Sequence, residues 1–150
     1  MQRFVLFLTV FFVVPVMAQA HCQMPCGIYD DSARYNTLEE DITTMEKAMT
    51  QITDLSAQGE KNYNQIVRWV VTKENMADDF MEIVTQYFMT QRLKPTAADM
   101  GQEYNDYITQ LKYLHEMLVY AMKCKQTTDQ ANIEKLRDLL GKSETLYFKQ

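Results

Sequence analysis

Beyond residue 20, no stretch of this chain alternates apolar and polar residues with period two, so β-strands are not expected. Internal repeats and low-complexity tracts are also missing, and 150 residues leave room for one ordinary domain. The three cysteines, Cys22, Cys26 and Cys124, are too few for a disulfide-stapled scaffold. Their odd number cannot pair completely within one chain. Long apolar runs are scarce. The main one, from Phe4 to Met17, is broken near its end by Pro15 and falls short of the roughly 18–20 residues that a membrane-spanning helix needs.

That run has another reading. Arg3 precedes it and Ala18-Gln19-Ala20 follows, the small-x-small pattern that a signal peptidase accepts. Residues 1–20 are therefore expected to be a cleaved export signal, leaving a chain that begins at His21 and works outside the cytoplasm, in a periplasm or the extracellular space. Loss of Arg3 leaves 14 Lys and Arg against 20 Asp and Glu, a net charge of −6. An acidic chain of this kind is a poor partner for nucleic acid or an anionic membrane.

What is present is helical periodicity. Residues 21–31 are irregular, because Pro25 and Gly27 interrupt any helix there, and Asp30-Asp31-Ser32 offers caps for one that follows. Leu38, Ile42, Met45, Met49, Ile52 and Leu55 then recur at spacings of three and four, up to Gly59. A second stripe runs from near Asn62 through Ile66, Val70, Ala77, Phe80, Val84 and Phe88 to a stop at Pro95. Lys73 interrupts it, and a kink or break is expected around Glu74-Asn75-Met76. Tyr104, Ile108, Leu111, Leu114, Leu118 and Ala121 form a third stripe. The fourth opens on Thr128 or Asp129 as cap and carries Ile133, Leu136 and Leu140. Four amphipathic helices with short breaks predict an all-α fold, an antiparallel up-and-down four-helix bundle over 32–150, preceded by an irregular N-terminal hook at 21–31.

The hook is where ligand atoms concentrate. A chain beginning His21-Cys22-Gln23-Met24-Pro25-Cys26-Gly27-Ile28-Tyr29 offers the free amine and imidazole of His21, the amide nitrogen of Cys22, and the thiolates of Cys22 and Cys26. An amine, a deprotonated amide and two thiolates can lie in one plane around a divalent metal. Square-planar nitrogen and sulfur donors suit nickel or copper, whereas zinc prefers a tetrahedron. Thiolates tend to reduce Cu(II), which favours nickel. A small Cys22–Cys26 disulfide or an opportunistic zinc site is the competing reading for a bare C-x3-C pair.

The string His-Cys-x-x-Pro-Cys-Gly-x-Tyr at a processed N-terminus resembles the hook of nickel superoxide dismutases. The match lies at His21, Cys22, Pro25, Cys26, Gly27 and Tyr29. It extends loosely over 32–150, with Lys73-Glu74 and Tyr87-Phe88 as family landmarks. The resemblance implies a four-helix bundle assembled as a homohexamer, with one nickel ion per subunit. It also implies equatorial ligands from the His21 amine, the Cys22 amide and the thiolates of Cys22 and Cys26, and an axial His21 imidazole when nickel is oxidised. The implied activity is conversion of superoxide to dioxygen and hydrogen peroxide by Ni(II)/Ni(III) cycling. Tyr29 is similar to the family tyrosine beside the open face of the metal, and Tyr87 to a second one. The sequence departs from the family at Gln23, where Asp is common. It departs again at Asn36 and Met76, which stand where well-known members carry a Glu and an Arg that fix the first imidazole.

The remaining candidate ligands have plainer readings. Cys124 is expected as a small packing residue and His115 as a partly exposed helix histidine. Methionines such as Met45 and Met49 fall on an apolar stripe and serve as core filler. The competing function is an exported helical-bundle protein that binds metal without turnover, which has no need for His21 to be the first residue.

Overall fold

The computed structural model describes residues 30–149, apart from the side chain at position 60. Among them there are four α-helices and no strand: α1 Asp31–Ala57, α2 Tyr63–Glu82, α3 Gln102–Gln126 and α4 Gln130–Tyr147. A 3-10 turn, Glu60–Asn62, precedes α2, and a π-helical segment, Ile83–Arg92, continues it. No helix among the described residues is long and apolar enough to cross a membrane.

The helix starts follow local chemistry. Asp30, in extended backbone, accepts the Ser32 amide with its carboxylate, and Asp129 does the same for Ala131. Each satisfies one of the amides that a first helical turn leaves without an intrahelical partner. At Gly59 and Gly101 the backbone has positive φ, 82° and 60°, a conformation that glycine adopts without a Cβ clash.

Cross-helix contacts set the directions. Asp31 at the start of α1 meets Tyr87 and Arg92, beyond the end of α2, and Tyr147 at the end of α4. Gln130 at the start of α4 lies against Glu46 and Thr50, while Ser143 near its end reaches Tyr35. Lys125, near the end of α3, pairs with Asp78 of α2 at 2.6 Å. Each helix thus runs against its neighbours, in the up-and-down order expected. Leu38, Ile42, Met45 and Met49 of α1 face Ala77, Phe80, Val84 and Phe88, with Leu114, Met117, Ala121 and Cys124 of α3 and Ile133, Leu136 and Leu140 of α4 closing the core.

Three local expectations need correction. The second helix is continuous through Glu74-Asn75-Met76; its irregularity comes later, as the π winding of Ile83–Arg92. Ile66 and Val70 do not join the core, which on this helix begins at Lys73 and Ala77. On α3 the buried face is Gln110, Leu114, Met117, Ala121 and Cys124, so Ile108 faces solvent instead.

Lys73 explains part of this. Its Nζ donates to the carbonyl oxygens of Cys124 (2.8 Å), Lys125 and Thr127 (3.3 Å) at the C-terminus of α3. Carbonyls there have no intrahelical donor and carry the negative end of the helix dipole, so a buried ammonium is stabilised. Past that level neither α3 nor α4 continues, and among the described residues 51–57 and 63–72 run on as a two-helix hairpin. Ten residues of helix make this overhang about 15 Å long. Tyr63 is 61% exposed there, Val67 60% and Val71 52%.

Candidate functional site

The hook residues His21, Cys22, Cys26 and Tyr29 lie outside the described residues. The end of the bundle that they join is described, and it holds a densely bonded polar cluster. Asp31 takes the Tyr87 hydroxyl on Oδ1, the Tyr147 hydroxyl on Oδ2 at 2.8 Å, and Arg92 at 2.6 Å from Nη2 and 2.8 Å from Nε. The Tyr87 oxygen in turn accepts from Arg92 Nη2 at 3.0 Å. The guanidinium carbons of Arg34 and Arg92 lie 5.3 and 5.2 Å from the Tyr87 ring centroid, within cation–π range.

The π winding makes this arrangement possible. Tyr87 and Arg92 are five residues apart, which on an α-helix places them roughly 140° from one another. Hydrogen bonds that skip five residues, such as Leu93 N to Phe88 O at 2.8 Å, bring such positions onto one face. Tyr87 and Arg92 can then grip one carboxylate.

Below the cluster aromatic rings pack in tilted and edge-to-face pairs. Phe88 packs on Tyr35 at 4.6 Å and on Tyr147 at 5.7 Å between centroids. The Tyr35 hydroxyl is 3.0 Å from Ser143 Oγ, which also receives Gln110 Nε2 at 2.7 Å. Beside the cluster, Arg92 and Tyr147 form one wall of a cleft of about 500 Å³, whose far side carries Glu103, Asp106 and Tyr107.

Titration follows from these contacts. Burial works to raise the Asp31 carboxyl, but hydrogen bonds from Tyr87, Tyr147 and Arg92 outweigh it and hold the group below its ordinary value. The Tyr87 and Tyr147 hydroxyls are pushed up, by burial first and then by the Asp31 carboxylate. The Tyr87 proton is thus committed to Asp31. Elsewhere, burial raises the Cys124 thiol to about 11, which keeps it protonated and matches a packing role.

The other sequence candidates scatter. His115 is exposed on α3, beside Leu118, Val119 and Met122. Asn36 is exposed on α1, and Met76 packs against the core. Among the described residues, no group of three His, Cys, Asp or Glu side chains could hold a metal. Sequence reasoning missed Asp31, Arg92 and Tyr147 as a set. Asp31 read only as a cap, and a helical wheel separates Tyr87 from Arg92.

Fold and site together describe a four-helix bundle whose first helix starts at a tyrosine-rich, arginine-flanked end. A family model described as nickel-containing superoxide dismutase matches residues 16–150. The chain belongs to the nickel-containing superoxide dismutase family, so it is an enzyme that acts on superoxide and uses nickel. No curated protein and no solved structure matches it.

Proposed function

We propose that the chain is exported, cut after Ala20, and dismutes superoxide at a nickel ion held by the new N-terminus. Residues 1–20 are the removed signal, 21–31 the hook and 32–150 the bundle. The observation that carries this reading is the string His21-Cys22-x-x-Pro25-Cys26-Gly27-x-Tyr29 directly after Ala18-Gln19-Ala20. Family membership supplies the nickel, and the described residues offer no competing ligand cluster.

The donor chemistry suits the ion. The His21 amine, the Cys22 amide nitrogen and the Cys22 and Cys26 thiolates would hold the ion, being strong anionic or neutral donors of the kind that stabilise a higher oxidation state, and the His21 imidazole would be a further donor. When bound, nickel supplies one-electron cycling between Ni(II) and Ni(III). One superoxide leaves as dioxygen, and a second takes up an electron and two protons to leave as hydrogen peroxide. Tyr29 would order water and hold a proton at its hydroxyl near the bound ion. Net charge cannot draw an anionic substrate to a chain at −6, so attraction must come from local cations, and Arg34 and Arg92 flank Tyr87 at this end.

Assembly as a homohexamer belongs to the same reading. It is supported by the overhang, where Tyr63, Val67, Val70 and Val71 present a contiguous apolar face that an isolated chain would leave in water.

One variant tests the ligand set: an extra Ala between Ala20 and His21, shown by intact mass to persist after processing. Every hook side chain remains, but the His21 nitrogen becomes a peptide nitrogen and the free amine moves one residue away. We expect unchanged circular dichroism and dismutase activity reduced by orders of magnitude; even a ~1 Å misplacement can cost about a hundredfold. Full activity and full nickel content in this variant would rule the reading out.

A further inference from the structure

Asp31 is one residue past the helix cap and two past Tyr29, and its carboxylate holds more bonds than a cap needs. A first-turn acid gains from the helix dipole on its own. This one also receives two tyrosine hydroxyls and a guanidinium from two other elements, Tyr87 and Arg92 from the π segment and Tyr147 from α4. From the geometry, we propose that Asp31 is the positioning residue of the metal hook, its carboxylate fixing the point at which residues 21–30 join the bundle. This rests on the ligand reading above.

The argument is one of tether length. Four residues lie between Cys26 and Asp31, so the Cα of Cys26 can be no farther than about 18 Å from the Cα of the clamped residue. Helix ends fray, because their terminal amides lack partners. Here the bonds to Tyr87, Arg92 and Tyr147 oppose fraying at the first residue of α1. Without them the first turn, through Arg34, can open, and the tether nearly doubles. The ligands would still be adjacent in sequence, but residues 21–30 would lose their fixed point of attachment to the bundle. Preorganisation of this kind governs how fast a competitor can reach a bound ion.

The test reads nickel release rather than turnover. Mature, nickel-loaded protein is challenged with EDTA at 25 °C, well below unfolding, as wild type, Asp31→Ala, Asp31→Asn and Ile133→Val. Asn matches Asp in shape, but only its Oδ1 can accept, so it keeps one tyrosine bond and loses the other together with the charge pairing to Arg92. Ile133 lies in the core near the start of α4, away from the clamp, and its loss of one methyl group lowers stability without touching Asp31. We expect Asp31→Ala to release nickel at least tenfold faster than wild type, Asp31→Asn to fall between them, and Ile133→Val to match wild type. Wild-type release from both Asp31 variants overturns the proposal, as does release from Ile133→Val as fast as from Asp31→Ala. A Cys22→Ser control distinguishes the two levels of inference: if it holds nickel as wild type does, the ligand reading fails and the clamp's role falls with it.

Discussion

At one end of the bundle the Asp31 carboxylate draws α1, the π segment and α4 together over a cluster of aromatic rings. At the other, α1 and α2 outrun α3 and α4, and Tyr63, Val67 and Val71 stand in solvent on a helix that is otherwise amphipathic. The closed end pairs Asp31 with Tyr87, Arg92 and Tyr147 within one chain, as buried hydrogen-bonding groups require. The overhanging end leaves apolar surface uncovered, a face suited to another protein surface. A single chain thus ties the start of α1 to the bundle by itself, while its opposite end leaves an apolar face open. Lys73 marks the boundary, where α3 stops and the overhang begins.

Breaking that boundary should have the largest effect on stability. Lys73→Met keeps the stem's packing but leaves the carbonyls of Cys124, Lys125 and Thr127 without the ammonium. Hydrogen bonds to charged groups contribute roughly 1.5–3 kcal/mol, so we expect a loss of about 2 kcal/mol and a clearly lower melting temperature. A melting temperature equal to that of wild type would mean that water replaces the cap at no cost.

Between the two ends sits a carboxyl that neither uses. Asp41 of α1 is buried, its Oδ2 has no hydrogen-bond partner, and burial, then Asp79 and Glu40, raise it from an ordinary 3.8 to about 7. A raised folded value favours the protonated form. Its contribution to stability is complete below about 3.8 and disappears as pH rises through about 7. Asp41→Asn removes that dependence. Its melting temperature relative to wild type should therefore be more favourable at pH 8.5 than at pH 5, and a difference constant across that range would contradict the assignment.

The smallest effect on the fold itself, within about 0.5 kcal/mol, is expected for Val67→Glu with Val71→Glu, since both positions are exposed. Assembly should respond instead. Sedimentation should show the wild-type oligomer replaced by smaller species, with helical content intact. An unchanged oligomer would place the interface on another face.

Much of the fold was legible in residue spacing. The stripes through Leu38–Met49, Ala77–Phe88 and Ile133–Leu140 are core because side chains three and four apart share a helical face. Ile66 and Val70 fit the same pattern yet stay out of the core. Periodicity identifies an apolar face but not what covers it, and here neither α3 nor α4 reaches that far. Tyr87 and Phe88 stood out as a dipeptide, but their partners did not. Asp31, Arg92 and Tyr147 are distant in sequence, and a straight α-helix would turn Arg92 away from Tyr87.

By itself the sequence determined the helical class, the number of helices, the acidic charge and the family, because periodicity, composition and a short ordered motif are local properties of the chain. The hook's candidate ligands are equally local, within six consecutive residues from His21 to Cys26. Only the tertiary structure decided that Lys73 closes α3, that α2 overhangs the bundle, and that Asp31 ties together three helical elements. Each of these depends on where one element ends relative to another, and on a π winding that shifts side chains around the axis. Relative ends and winding arise from packing among distant segments, and no spacing within one segment encodes them.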